Sequence, residues 1–504
     1  MDQTERIDDD KEHDDGEAPL LDHSEQVIGG FRGAKRWILL EPVAFLLCFG
    51  LAIAGIVLSN QLIFQTCVYL GYDRDRCRQM ESKTGNGSDD AELELIVQPV
   101  VANFNMVSSI VNSVVPALVG LFLGPWSDRF GRKPVIVLPC VGYVMTYVLK
   151  AVIFAVSEQA PVSPWFYLVA DIPAVLCGGT TVVMAGMYSY VSDVVPNQGR
   201  TIRMGMQNSA ALTGALLGLM SSSFVLRWTN TGIVFLIALV AIVLSTIYLV
   251  LFVEDSIEVR DFADVSGCCW KLREIFRLDS LKAMVDSALK ARPNYDRAVL
   301  WFSILIGCLT VLGQGGSSIF YLFTRKKFDW SLQDFTLWQS TELVSTIVSN
   351  FLGIVILKKV FRLPDISIAF LSILSFIGDS FIKGLATGGW HLYLATATTP
   401  FKSTEGAAFM AIITNILAPN EVAKIFSMAM ALTAMIQLAA APLFTLIYNA
   451  TLSTSPELFN FVASAIFCVN LLLVGVVYVL LRKRNEARRT SRDNTEHEDS
   501  DIII

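Results

Sequence analysis

Hydrophobic and polar positions alternate along this chain in long blocks, not at the spacing of a half-buried strand or a surface helix. Twelve stretches are apolar over about the 20 residues that a helix needs to cross a bilayer. They fall near 38–60, 104–126, 134–156, 165–190, 204–226, 232–253, 298–323, 335–357, 366–386, 391–415, 424–448 and 458–481. Polar residues interrupt the fourth and tenth. A long charged stretch, about 254–297, separates the sixth from the seventh and carries one amphipathic run, Leu278 to Leu289. The pattern predicts an all-α membrane protein of twelve transmembrane helices in two six-helix, pseudo-symmetric bundles, 37–253 and 298–481. An acidic N-terminal segment 1–36, a linker 254–297 and a tail 482–504 complete it, with both ends expected to be disordered and cytosolic.

Composition changes the picture only by excluding a soluble alternative. Mean hydropathy is +0.53, and charged residues make up 17% of the chain, against roughly 25% in soluble domains. The net charge of −7 reflects acidic ends, Asp8 to Glu17 and Glu496 to Asp501, more than the body. A long acidic stretch before the first apolar one predicts no cleavable signal peptide. Lys and Arg favour the loops that also hold the ends, with Arg129, Arg132, Lys133, Arg200 and Arg203 on that side. By the positive-inside rule that side is cytosolic. The sequons at Asn86 and Asn449 then fall outside, where Asn86, in a long polar loop, is the expected glycosylation site. Nine cysteines form no framework. Five lie in apolar segments. Cys67 and Cys77 share one outer loop and can pair with each other where that loop faces an oxidising compartment.

Between the second and third stretches stands Gly124-Pro-Trp-Ser-Asp128-Arg129-Phe-Gly131-Arg132-Lys133. It resembles the signature G-x-x-x-D-R-x-G-R-K of major facilitator transporters at every defined position. Gly124 allows close helix packing, Gly131 a tight turn, and the charges a latch made in one conformation and broken in another. A worn copy, Gly353 to Lys359, closes the eighth stretch with Leu357 at the place of the aspartate.

Within that superfamily the chain resembles the proton-coupled folate transporter family, the solute carrier 46 group. Glu41-Pro42 opens the first stretch as that family's E-P does. Asp193 with Arg200-Thr-Ile-Arg203-Met204 looks like its D…R-T-x-R-M, and Thr399-Pro400-Phe-Lys402 is similar to its T-P-x-x-R. The resemblance implies proton-coupled uptake of organic anions, folates or related conjugates. The carboxylate and histidine expected of folate carriers near Asn208 and Leu312 are missing, and Asp329 stands where the family has a cysteine before Trp330.

Ionisable residues inside a bilayer cost about 2.5–3.5 kcal/mol each on insertion scales, which makes each a functional candidate. Asp171 has no partner nearby in sequence. Lys402 and Glu405, three apart, share a helical face and can pair. Lys402 is the candidate anchor for an anionic substrate, and Glu405 or Asp171 the candidate proton carrier, because a carboxyl in a low-dielectric cavity gains affinity for a proton. Against this, Lys402 and Glu405 can be a structural pair and Asp171 an uncoupled cavity residue. Lys150, Asp379 and Lys383 read as snorkelling at outer helix ends, and Glu342 is left open. Polar candidates for the cavity are Gln61, Asn105, Asn208, Gln314 and Tyr321.

No metal cluster, cofactor loop or catalytic triad stands out, so neither an enzyme nor a nucleic-acid binder is expected. The expected partners are a small anion, protons and the lipid bilayer, with no oligomer required. An uncoupled facilitator or exporter, or a transport-dead sensor on the same fold, is the alternative. The plasma membrane is the expected location; Glu17-Ala-Pro-Leu20-Leu21, resembling an acidic dileucine signal, points instead to endolysosomes.

Overall fold

The structure is a computed structural model that describes residues 40–82, 88–195, 197–255, 289–292, 295–350, 356–417 and 419–501. Asn86, Gly353, the acidic N-terminal run and the amphipathic linker run up to residue 288 lie outside the described residues. Everything described is helix and connecting turn. The first half comprises α1 (Glu41–Tyr69), α2 (Arg74–Ser82), α3 (Ser88–Phe130), α4 (Lys133–Ser157), α5 (Phe166–Leu176), α6 (Gly179–Val194), α7 (Asn197–Trp228) and α8 (Thr231–Phe252). The second comprises α9 (Asp296–Gly313), α10 (Phe320–Phe328), α11 (Leu332–Val348), α12 (Asp365–Leu385), α13 (Trp390–Thr398), α14 (Glu405–Thr414), α15 (Pro419–Thr451) and α16 (Leu458–Asp501).

Among the described residues ten helical stretches are long and apolar enough to cross a bilayer. This is consistent with twelve spans, because the two that fall short are broken. The eighth consists of α11 and a π-helical turn, Ile356–Val360. In the tenth, α13 stops at Thr398, and Pro400, which lacks an N–H and disfavours helix before it, separates it from a 3-10 turn at Lys402–Thr404. The fourth breaks between α5 and α6, where Gly178 takes φ +97°, open to glycine and strained for other residues. The seventh breaks at a 3-10 turn, Gly315–Ile319.

Two expectations are corrected. The second span starts earlier than 104, since α3 begins at Ser88 and carries Glu94 and Gln98 as buried residues. The tail is also helical as far as Asp501, continuing α16. Its first exposed turn is supported by an i,i+4 ion pair, Arg482 Nε to Glu486 Oε1 at 3.0 Å.

Helix α1 packs along α7 and α8, α9 along α15 and α16, and α12 along α16. The halves meet through α3 against α15 and α7 against α11. Tyr448 Oη donates to Gln98 Oε1 (2.9 Å) and Asn449 Nδ2 to Asn103 Oδ1 (3.1 Å), pairing the end of α15 with the early turns of α3. The start of α15 therefore lies toward the end of α3, the side of Arg132. There Glu421 meets Arg292, and nearby Arg484 Nε is 2.6 Å from Asp296 Oδ1. Leu40 and Arg484 thus leave the bundle on one face, here called the motif face. Cys67 and Cys77 are disulfide-bonded, with Cα atoms 5.8 Å apart, and mark the opposite, disulfide face.

Candidate functional site

Four charged side chains from three consecutive spans converge in the second half. Glu342 comes from α11, Asp379 and Lys383 one turn apart on α12, and Lys402 from the 3-10 turn that Pro400 introduces. Lys402 Nζ lies 2.7 Å from Glu342 Oε1 and 3.0 Å from Asp379 Oδ1. Lys383 Nζ lies 2.9 Å from Asp379 Oδ2 and 3.3 Å from Glu342 Oε1. The result is a four-membered ring of alternating charge. Lys383 also sits over the rings of Trp338 and Phe320, at 4.9 and 5.0 Å from their centroids, a cation–π arrangement. Desolvated charges are retained only with such complete pairing.

This ring lines a cavity of about 500 Å³, whose walls also carry Gln314, Gln339, Phe376 and Phe467. Glu405 reaches the same cavity from the first turn of α14. It is not a partner of Lys402. Its Oε1 accepts from Thr310 Oγ1 at 2.8 Å, while that hydroxyl accepts from Asn470 Nδ2 at 2.9 Å. Thr310 Oγ1 is also 3.0 Å from the Ile306 carbonyl. A hydroxyl has one proton, so the Thr310 proton can serve Glu405 or Ile306 but not both. A carboxyl that changes protonation has a ready partner in either form.

Several expectations are corrected here. Lys402 and Glu405 do not pair, because the broken tenth span sets them in different turns. Lys383 and Asp379 do not snorkel: at 7% exposure each they are buried in the ring. Asp171 is not without a partner. Its Oδ1 lies 2.7 Å from Lys150 Nζ, linking α5 to α4, and neither residue lines the cavity. Of the predicted polar lining only Gln314 does so. Tyr321 donates to Asn60 (2.9 Å), Asn105 to the Ser318 carbonyl (3.1 Å), and Asn208 accepts from Tyr188 (3.3 Å). Gln61 lines a different cavity at the disulfide face.

At the motif face, Gly131 takes φ +104°. Arg132 Nε bonds Asp193 Oδ2 at 2.8 Å and its Nη1 the Ser127 hydroxyl at 2.6 Å, tying the turn to α6. The Arg132 and Lys133 amides donate to Asp255 Oδ1, beyond α8, at 2.9 and 3.4 Å. Arg203 Nε is 3.3 Å from Glu41 Oε1, joining α7 to α1. Gly124, Asp128, Arg129 and Arg200 are described as helix backbone alone; their side chains lie outside the described residues.

Sequence reasoning missed a buried ion pair that joins the two halves. Arg325, between the seventh and eighth predicted spans, is wholly buried. Its Nε bonds Glu94 Oε1 at 2.8 Å and its Nη2 the Met80 carbonyl. With Tyr321–Asn60, Asn105–Ser318, Thr336–Ser223 (3.0 Å) and the two α3–α15 bonds, it closes the disulfide face. The available signal was a Glu and an Arg each beside an apolar run, but nothing in sequence joins positions so far apart.

A helical body with a polar seam closed at one face and an ion-lined cavity in its interior defines a membrane transport protein. The chain belongs to the Major Facilitator Superfamily, which its residues 42–401 match. It is a secondary transporter of the solute carrier 46 type. It is 29% identical over 447 residues to the "Probable peptidoglycan muropeptide transporter SLC46" of Drosophila melanogaster, covering 87% of this chain and 85% of that protein. It is 24% identical over 458 residues to the "Lysosomal proton-coupled steroid conjugate and bile acid symporter SLC46A3" of Gallus gallus, covering 89% and 94%. Against the "Proton-coupled folate transporter" of Rattus norvegicus identity is 23% over 448 residues, covering 87% and 91%. Among solved structures, a peptide transporter POT in complex with sulfate aligns with a TM-score of 0.63 at 14% identity, covering 91% of this chain and 98% of that one. That likeness shows the fold.

Proposed function

We propose that this protein carries a small organic anion across the membrane with protons, its halves rocking to expose the cavity to alternate faces. The observation that supports this most is Lys402, bridged between two carboxylates on the wall of a cavity of about 500 Å³, a volume suited to a drug-sized ligand. An incoming anionic group takes the place of Glu342 or Asp379 at the ammonium. The displaced carboxylate must then share Lys383 with its neighbour, leaving two carboxylates against one ammonium in a low-dielectric site, a costly state that a proton relieves. Substrate and proton therefore enter together. Glu405, bonded to a hydroxyl and not to a cation, is the second proton position. The chemistry favours an anion with an apolar body, since aromatic rings form much of the wall. The similar proteins named for steroid conjugates and bile acids, and for folate, agree with that class.

The motif face is proposed to be cytosolic, so that the disulfide and Asn86 lie in an oxidising, glycosylating compartment. The plasma membrane is the proposed location. The dileucine-like Glu17–Leu21 and the lysosomal relative favour the endolysosomal alternative, and surface biotinylation distinguishes the two. For transport, purified protein in proteoliposomes is given labelled steroid sulfate, bile acid, folate and muropeptide with an imposed pH gradient. The proposal expects uptake of at least one, accompanied by acidification of the lumen, and loss of the pH dependence in Glu405→Gln. Uptake that ignores the gradient would instead establish an uncoupled facilitator, and no uptake of any anion would remove the transport assignment to this class.

A further inference from the structure

Among the described residues the charged groups on the wall of the Lys402 cavity are Glu342 of α11, Asp379 and Lys383 of α12, Lys402 of the 3-10 turn and Glu405 of α14; α9, α10, α15 and α16 add none. The first four neutralise one another through contacts of 2.7 to 3.3 Å. Glu405 stands outside that balance. No described cation pairs with it, and its one bond is from the Thr310 hydroxyl to Oε1. Oε2 has no partner. It is not sealed off as the unpartnered amide atoms of Asn460 and Gln339 in the same wall are, so it keeps surface open to the cavity. Next to it Gly406 also lines the cavity, with nothing within 4 Å of where a Cβ would stand. When Glu405 is ionised, the cavity therefore holds one negative charge in excess, beside an unbonded oxygen and empty space.

We propose that Glu405 is a specificity-determining residue, at which an ammonium group on the substrate takes the place of a proton. The favoured substrate is then an organic anion that also bears an amine, with its carboxylate or sulfate at Lys402 and its ammonium at Glu405 Oε2. This rests on the reading of Lys402 as the anion anchor. An ammonium has protons to donate and no acceptor, and its bond to a carboxylate is about twice as strong as a neutral one. An anion without an amine presses an apolar end against the same oxygen. Burying that charge unpaired is costly, so Glu405 then takes a proton from solution. Where the empty cavity already holds that proton, the ammonium releases it. Either way, the amine-bearing anion binds with one proton fewer than its amine-free analogue.

Ligand-induced shifts in the melting of the purified full-length protein test this without transport. The probes are 4-aminobutanoate, 6-aminohexanoate and 8-aminooctanoate, each beside the alkanoate of the same length. They are titrated between about pH 5.5 and 7.5, where the amine and the carboxylate both keep their charge. At least one amine-bearing chain should bind about tenfold tighter than its alkanoate at the upper pH, and this ratio should climb about tenfold per pH unit, the slope of one proton. In Glu405→Gln the ratio should fall close to one and lose its slope, whereas Lys402→Ala should weaken both members of a pair. The pH trend in the unmodified protein decides the matter even where Glu405→Gln melts too low to titrate. Alkanoate binding that needs Lys402, but with no amine preference, a preference indifferent to pH, or one that survives Glu405→Gln, would overturn the role of Glu405 and leave the anchor standing. Binding of neither series at millimolar concentration would remove the anchor, and this role with it.

Discussion

Arg325 of α10 and Glu94 of α3 form an ion pair across the two halves, with Nε and Oε1 2.8 Å apart and the guanidinium wholly buried. Removing one partner of a buried pair typically costs about 3–5 kcal/mol, because the other charge is left without compensation. Here the orphaned charge can escape by opening the disulfide face to water, so the cost falls on the closed arrangement. Glu94→Gln should therefore shift the equilibrium toward a form open at that face, by a factor of roughly a hundred or more at 3 kcal/mol. Labelling of Ser318→Cys, on the same seam, by an impermeant maleimide reads the shift. An unaltered labelling rate would mean the pair is not part of the closure.

The disulfide should feed into the same seam. Cys67 and Cys77 hold α2 against the end of α1, and α2 presents the Met80 carbonyl to Arg325. Their sequence separation is 10, for which loop-closure entropy gives about 2.7 kcal/mol in the chain-entropy model. Cys67→Ser with Cys77→Ser should raise labelling of Ser318→Cys in the same direction as Glu94→Gln. The combined variant should fall short of the sum, because all three groups act through Arg325. Strict additivity would show that the loop and the ion pair work separately.

Hydropathy made the helical body legible, and the Gly124–Lys133 pattern placed it among major facilitator transporters. Those signals are local: a span needs only a run of apolar residues, a motif only its spacing. The ion pairs that join spans were not legible, because each links residues of different helices. Asp379 and Lys383 read as snorkelling residues when their helix is considered alone; their burial makes sense only once Glu342 and Lys402 arrive from neighbouring spans. Lys402 and Glu405 read as partners on a continuous helix, a premise that Pro400 and the 3-10 turn remove. Arg325 falls between two predicted spans, beside Lys326 and Lys327, while its counter-ion Glu94 stands in the segment before the predicted second span.

At the motif face, Gly131 offers a direct test of the turn. Its φ of +104° lies where a side chain is strained, and a Cβ there would strike the Asp255 carboxylate. Gly131→Ala should lose about 1–2 kcal/mol from the backbone alone. It should also displace Asp255 from the Arg132 and Lys133 amides. A lowered melting temperature in detergent is expected, with Asp255→Ala showing a smaller fall, near the 1 kcal/mol typical of a lost cap. A melting temperature unchanged by Gly131→Ala would contradict this geometry.

Glu421, at the start of α15, accepts from Lys290 Nζ at 2.7 Å and Arg292 Nη2 at 3.0 Å. These bonds hold its carboxyl below the usual carboxylate range. Since the folded value is depressed, the contact contributes fully above the unfolded pKa of about 4.3 and is lost as pH falls through the folded value. Residues 289–292 should stay protected from hydrogen exchange between pH 7 and 5 and loosen only below about pH 4, after correction for intrinsic rates. Loosening near pH 6 would show that another group controls this contact.

Lys402 separates a structural charge ring from a working one. In Lys402→Ala, Glu342 and Asp379 share Lys383 alone, so the ring should lose about 3 kcal/mol or more of stability; a transporter should also lose the anchor for its anion. Lys402→Arg keeps the charge but enlarges the head group beside carboxylates now 2.7 and 3.0 Å from the ammonium. It should stay near wild type in melting temperature while uptake falls about tenfold or more. Melting and uptake measured on the same preparations distinguish the cases. If Lys402→Arg transports normally, the ammonium position does not set substrate contact. If Lys402→Ala melts lower yet still carries the anion at full rate, the ring is scaffolding and the substrate binds elsewhere in the bundle.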